Sequence, residues 1–237
     1  MRRSRSLLVL VAAVAAVLGV GAVAGCSSSE PTAGAAAVSQ PTTTDKVTVA
    51  GDSISVGLGA ALRAHVPAGV DVKVIGEEGS GLARPDIFDW PGRLTELARD
   101  FPPTVLVFSV GSNDAQDLRD ASGAVVAPFA DAAAWDAEYA RRIGTVFDTF
   151  AGSDTTVVWV GHVATDDPTV AETNRRVHRL AAAEAADRPN VVVADLADLL
   201  GSGDAVAERC LMDDGLHVTA ACLDEAAAAL APDLPVG

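Results

Sequence analysis

The sequence of 237 residues predicts an α/β fold: a three-layer α/β/α sandwich around a five-stranded, parallel, doubly wound sheet of flavodoxin-like order. Three observations predict it. Short, almost wholly apolar runs rich in Val recur through residues 45–237. A longer stretch with helical periodicity or composition follows each run, which supplies the crossovers that parallel strands need. The runs are apolar on both faces, as strands covered by helices on each side must be.

The elements follow in order. "KVTVAGDS" (46–53) is a strand ending in a turn, and "GLGAALRAHV" (57–66) reads as a helix. "VDVKVIGE" (70–77) is a second strand. "WPGRLTELARDF" (90–101) is helical, with Leu94, Leu97 and Phe101 expected on one face. "TVLVFSVGSND" (104–114) is a third strand running into a polar turn, and "AAAWDAEYARRIGTVFDTFA" (132–151) a long amphipathic helix. "TTVVWVGH" (155–162) is a fourth strand, and "PTVAETNRRVHRLAAAEAAD" (168–187) a helix with Pro168 near its start. "NVVVADL" (190–196) is a fifth strand, and "TAACLDEAAAALAPDL" (219–234) a last helix with Thr219 as a candidate cap. No internal repeat is visible.

Residues 1–25 stand apart from this pattern. "MRRSRS" is basic, an apolar run follows, and "VAGC" closes it at Cys26. This is the layout of a secretory leader. Small residues ending on a cysteine resemble the bacterial lipobox, which implies cleavage before Cys26 and a diacylglycerol on its sulfur. An uncleaved transmembrane anchor is the alternative, since the run is nearly long enough to span a bilayer. Either way the domain is expected outside the cytoplasm, on the outer face of the cell membrane. Residues 26–44 are rich in Ser, Thr, Ala and Pro and read as a flexible tether. Residues 45–237 are one domain's worth of chain.

The formal net charge is −15, and the leader's Arg2, Arg3 and Arg5 contribute in the other direction, so the exported chain is more acidic still. Such a surface repels phosphate backbones, so nucleic acid is not an expected partner. With Cys26 set aside, Cys210 and Cys222 remain, an even pair in an oxidising compartment, and they are expected to be bonded. Two cysteines without CxxC or HxxxH spacing do not make a metal site.

In open parallel sheets, ligands bind beyond the carboxyl ends of the strands, so the residues after each strand matter most. After the first come Gly51-Asp52-Ser53. A serine there presents its hydroxyl above the sheet and its N–H at a helix N-terminus, though Asp and Ser are also ordinary N-caps. After the second, Gly79 and Gly81 permit close backbone approach to a ligand, or simply form a loop. After the third, "GSND" offers Asn113 as a side-chain donor, or a polar turn. Near the end, Asp214 and His217 are spaced so that the carboxylate can orient the imidazole. Together these supply a nucleophile, a base with its orienting acid, and donors for a tetrahedral oxyanion, the set that acyl transfer requires.

The four blocks, in this order, resemble the SGNH hydrolases, the GDSL esterase/lipase family. "GDSIS" then implies Ser53 as nucleophile. The glycine block implies Gly81 as an oxyanion donor, with Gly79 as the alternative. "GSND" implies Asn113 as side-chain donor beside the N–H of Ser53. "DGLH" implies Asp214 and His217, and spacing favours Asp214 over Asp213. The strings "GLARPDIFDWP", "GSNDAQ" and "VVWVG" look similar to an exported bacterial branch associated with cell-envelope or polysaccharide acyl groups. One departure stands out: the family often has an asparagine several residues before its glycine, and here that position is Gly76.

The resemblance implies an extracytoplasmic esterase acting on small acyl esters, acetyl on carbohydrate among them, with no cofactor or metal. An envelope-glycan O-acyltransferase and a catalytically silent glycan-binding lipoprotein are the alternatives. The oligomeric state is left open. His162, at the end of the fourth strand, and Trp90 in "DWP" are candidates to line the pocket. Arg84 could meet an anionic substrate or pair with a neighbouring acid. The bond between Cys210 and Cys222 would brace the loop that carries Asp214 and His217.

Overall fold

The structure, a computed structural model, describes residues 44–201 and 205–237. The leader (1–25), Cys26 and all but the last residue of the tether (26–44) lie outside the described residues.

Five strands form the sheet: β1 (Lys46–Gly51), β2 (Asp71–Gly76), β3 (Val105–Ser109), β6 (Thr156–Gly161) and β7 (Val191–Asp195). All pair in parallel, in the spatial order β2-β1-β3-β6-β7. This is the doubly wound sheet with covered faces that the Val-rich runs predict. Alternation along each central strand divides the core in two. Val105 and Val107 of β3, with Val158 and Val160 of β6, face α1 (Ser53–Leu62) and α7 (Ala220–Leu230). Leu106 and Phe108, with Val157 and Trp159, face α2 (Trp90–Asp100), α3 (Ala132–Asp148) and α4 (Pro168–Ala185). With both side-chain sets buried, these strands cannot show a polar-out alternation, which is why they read as continuous apolar runs.

The helices start at oxygen-bearing caps. Asp52, Asp89, Asp131 and Asp167 each accept from a backbone N–H in the first turn of α1, α2, α3 and α4, and Thr219 does so for α7. The first helix begins earlier than its apolar pattern suggests, at Ser53 rather than Gly57, because Asp52 caps it directly after the strand. Phe101 departs from expectation. Leu94 and Leu97 are buried, but Phe101 is 62% exposed. The helix ends at Asp100, and Phe101 leaves helical dihedrals (φ −147°, ψ 61°), so helical spacing no longer places it. Its ring packs beneath the Lys73 ammonium, 4.7 Å from the centroid.

Four elements have no counterpart in the sequence reading. A two-stranded antiparallel hairpin, β4 (Leu118–Arg119) and β5 (Val125–Ala127), is inserted between β3 and α3. The short helices α5 (Leu196–Leu199) and α6 (Ala205–Cys210) lie between β7 and the final helix.

Candidate active site

The site is assembled above the carboxyl ends of β1, β2 and β3, from three loops and a C-terminal hairpin. At the end of β1, Gly51 has φ +142°, and a Cβ there would lie 1.8 Å from the Ser109 carbonyl oxygen. Only glycine allows this approach. It lets the Asp52 N–H donate to the Ser109 carbonyl at 3.1 Å and turns the chain into α1. Ser53 is therefore the first residue of that helix.

The Ser53 Oγ lies 2.9 Å from His217 Nε2. His217 Nδ1 lies 2.7 Å from Asp214 Oδ2. The carboxylate can only accept, so Nδ1 carries the proton and Nε2 is left to accept from the serine hydroxyl. The other oxygen, Asp214 Oδ1, accepts from the backbone N–H groups of Leu216 and His217, both at 2.9 Å. The N–H of His217, then its ring and the N–H of Leu216, hold the Asp214 carboxyl down to about 2. Asp213 is exposed and makes no hydrogen bond to His217.

The loop bearing Asp214 and His217 is a closed hairpin. Leu211 and Val218 bridge antiparallel, Met212 N–H donates to the His217 carbonyl at 2.7 Å, and Thr219 N–H to the Cys210 carbonyl at 2.7 Å. The Cys210–Cys222 disulfide, with Cα atoms 5.6 Å apart, joins its base to α7. Both cysteines are buried in the α1–α7 core.

Gly81 is buried against Asp114, and a Cβ on it would lie 2.1 Å from Asp114 Oδ1. The buried Asp114 carboxyl accepts from Leu82 N–H (3.2 Å), Ala83 N–H (2.8 Å) and Tyr139 Oη–H (2.5 Å), which pins the glycine loop to the turn after β3. Burial pushes its carboxyl upward, opposed by these three donors. Gly79 is exposed, with φ +71° and open space where a side chain would go. Among the described residues, the N–H groups of Ser53 and Gly81 donate to no protein acceptor.

Asn113 Nδ2 donates to the Ser80 carbonyl at 2.9 Å and reaches Asp52 Oδ2 at 3.4 Å. The second contact is long and weak. Asp52 is 1% exposed, and burial raises its carboxyl to about 7 against the N–H groups of Ile54 and Ser55.

Two expected pocket residues do not line an opening. Trp90 has no exposed surface; its ring packs between Phe88 and Phe108, and its Nε1–H donates to Ser80 Oγ at 2.9 Å. It braces the glycine loop from beneath. His162 is also buried, 5% exposed, below the turn that carries Asn113. Arg84 pairs bidentately with Asp86 at 2.8 and 2.7 Å. Ser80 was not foreseen. Its hydroxyl donates to the Glu77 carbonyl (2.6 Å) while accepting from Trp90, and its carbonyl holds Asn113. A Cβ on Gly76 would meet Val56 Cγ2 at 2.1 Å, so a larger residue at that position requires Val56 to move.

A cavity of about 470 Å³ lies beside the glycine loop, between Leu82, Phe88, Val126 and α3. Gly81 lines it, whereas Ser53, Asp214 and His217 do not. Among the described residues, no three His, Cys, Asp or Glu side chains converge to hold a metal ion. No described helix is long and apolar enough to cross a membrane.

Residues 46–229 match the family described as "Protein of unknown function (DUF459)". No curated protein sequence matches. Among solved structures, the chain is similar to a G-D-S-L lipolytic family member from Veillonella parvula, with 16% identity over 78% of this chain and 95% of that one, and TM-score 0.58. It is similar to the catalytic domain of peptidoglycan O-acetyltransferase A from Streptococcus pneumoniae, with 14% identity over 81% and 97% of the two chains, and TM-score 0.56. A third likeness is to an acetyl-xylooligosaccharide esterase from Geobacillus stearothermophilus, with 15% identity over 81% and 95%, and TM-score 0.54. At these identities the likenesses show a shared fold, that of the GDSL hydrolases.

Proposed function

Because the chain belongs to the DUF459 family, whose description names no activity, we propose from the site itself that it is a serine ester hydrolase with Ser53, His217 and Asp214 as its triad. The observation that carries this is the continuous hydrogen-bonded line from Ser53 Oγ through the imidazole to Asp214, 2.9 and 2.7 Å. His217 Nε2 takes the hydroxyl proton as Oγ attacks an ester carbonyl, and Asp214 stabilises the imidazolium that forms. The N–H groups of Ser53 and Gly81 and the amide of Asn113 receive the oxyanion. The imidazolium then protonates the leaving alcohol, and water attacks the acyl-serine by the reverse sequence. The substrates proposed are small acyl esters, acetyl on carbohydrate first. The named activities of the acetyl-xylooligosaccharide esterase and the O-acetyltransferase support that class. The location proposed is the outer face of the cell membrane, with the lipid on Cys26, on the strength of the leader sequence.

The test is labelling of the purified domain by a fluorophosphonate, with turnover of p-nitrophenyl acetate. Wild type is expected to label and turn over, and Ser53→Ala to do neither. An unlabelled wild type, or equal labelling of Ser53→Ala, sinks the proposal. The likeness to an O-acetyltransferase favours one second reading, transfer of the acyl group to an envelope sugar. An acylated sugar formed from an acyl donor and a glycan acceptor would identify it.

A further inference from the structure

We propose that His162 is a positioning residue for the oxyanion hole: acting through Ser112, it holds Asn113 in place and takes no proton in the reaction. This rests on the serine esterase reading above. The side chain of His162 is 1% exposed, and both ring nitrogens are committed. The Ser109 hydroxyl donates to the Val160 carbonyl at 2.9 Å, so its oxygen accepts from His162 Nε2–H, also at 2.9 Å. That fixes the proton on Nε2 and leaves Nδ1 as an acceptor. Nδ1 receives the Ser112 hydroxyl at 2.8 Å and the Ser112 N–H at 3.3 Å. The buried Asn174 of α4 closes the network, donating to the Val163 carbonyl (3.0 Å) and to Ser112 Oγ (3.2 Å).

One imidazole thus ties the end of β3 and the end of β6 to the turn Gly111–Asp114, and Asn113 is the next residue along that turn. Burial depresses the ring to about 4, so it stays neutral and cannot trade roles with His217. Without the ring, the Ser112 N–H loses its acceptor and the Ser112 hydroxyl keeps only the longer contact to Asn174 Oδ1 at 3.3 Å, a cost that moving the turn relieves. A displacement of about 1 Å at a reacting site costs on the order of 10² in rate.

The experiment is a double-mutant cycle. His162→Gln places an amide nitrogen near Nε2, keeping the link to Ser109, but offers no acceptor at the Nδ1 position. With p-nitrophenyl acetate, it should lower kcat roughly 10- to 100-fold and leave KM within about twofold. Affinity for phenylboronic acid, which forms a tetrahedral adduct with the serine, should fall in step. In an Asn113→Ala background the same substitution should cost little further, because its target is already gone. Equal fractional losses in both backgrounds, or a loss expressed in KM alone, would reduce His162 to a core residue and overturn the proposal. If His162→Gln fails to fold, Ser112→Ala enters the same cycle with the same criteria. A wild type that neither labels with fluorophosphonate nor turns over the ester defeats the esterase reading instead, so the two failures are distinct.

Discussion

Asp213 and Asp214 are adjacent carboxylates, yet only Asp214 reaches the imidazole, and two backbone N–H groups of its own loop hold it there. Asp214→Asn should therefore lower kcat by about 10²–10⁴-fold, since an amide can stabilise the wrong tautomer. Asp213→Asn should leave kcat within about twofold, and steady-state kinetics of the two variants check both. Asp52 predicts a stability effect. Its carboxyl has an ordinary value of 3.8, but burial raises it to about 7 in the folded protein. Between those values the folded state holds more protons than the unfolded one, so this group's contribution to stability falls as pH rises and levels off above 7. Asp52→Asn keeps a capping acceptor and lacks that slope. Its Tm relative to wild type should rise across the same window, and a difference flat in pH would contradict the assignment. Residue types and spacing made Ser53, Asn113, Asp214 and His217 legible as candidates, and hydrogen bonds join Ser53, His217 and Asp214. They could not show Ser80 or the placement of Trp90 and His162, because which residues meet across loops far apart in sequence is decided by the sheet order.

At the scale of elements, the hairpin carrying Asp214 and His217 is tied at its base to α7 by the disulfide. Its disulfide spans a sequence separation of 12 residues. In the chain-entropy account, closing so short a loop contributes roughly 3 kcal/mol. Reduction, or Cys210→Ser with Cys222→Ser, should lower Tm by roughly 5–10 °C. It should also lower kcat below the melting range, because the hairpin holds His217, the base proposed above. Thermal unfolding and ester turnover with and without reductant measure the two effects separately. The strands and long helices were readable because burial on both sheet faces and amphipathic periodicity leave a mark on sequence. The β4–β5 hairpin left almost none. Its strands have two and three residues, too short for alternation to register, and its turn is built by Asp120 accepting from Ser122 and Ala124.

For the whole molecule, the net charge of −15 sets a field that every substrate crosses. An ester with a carboxylate on its acyl group should be a poor substrate at low salt, and its kcat/KM should rise several-fold as salt screens that field. A neutral acetyl ester should change little, and measuring both over one salt series provides the control. The overall architecture was the most legible level, since alternating apolar strands and helices admit few arrangements. The division of the core into an α1–α7 side and an α2–α3–α4 side was less so, because the same runs serve both faces.

Ser53 and His217 are 164 positions apart, and the hairpin bearing the base is one of the last segments of the domain. Ser53, Gly81 and Asn113 all lie between β1 and the turn after β3, whereas the base proposed for them comes from the far end of the domain. On the triad proposed above, a fragment ending before Cys210 lacks both Asp214 and His217 and leaves the Ser53 hydroxyl without a base.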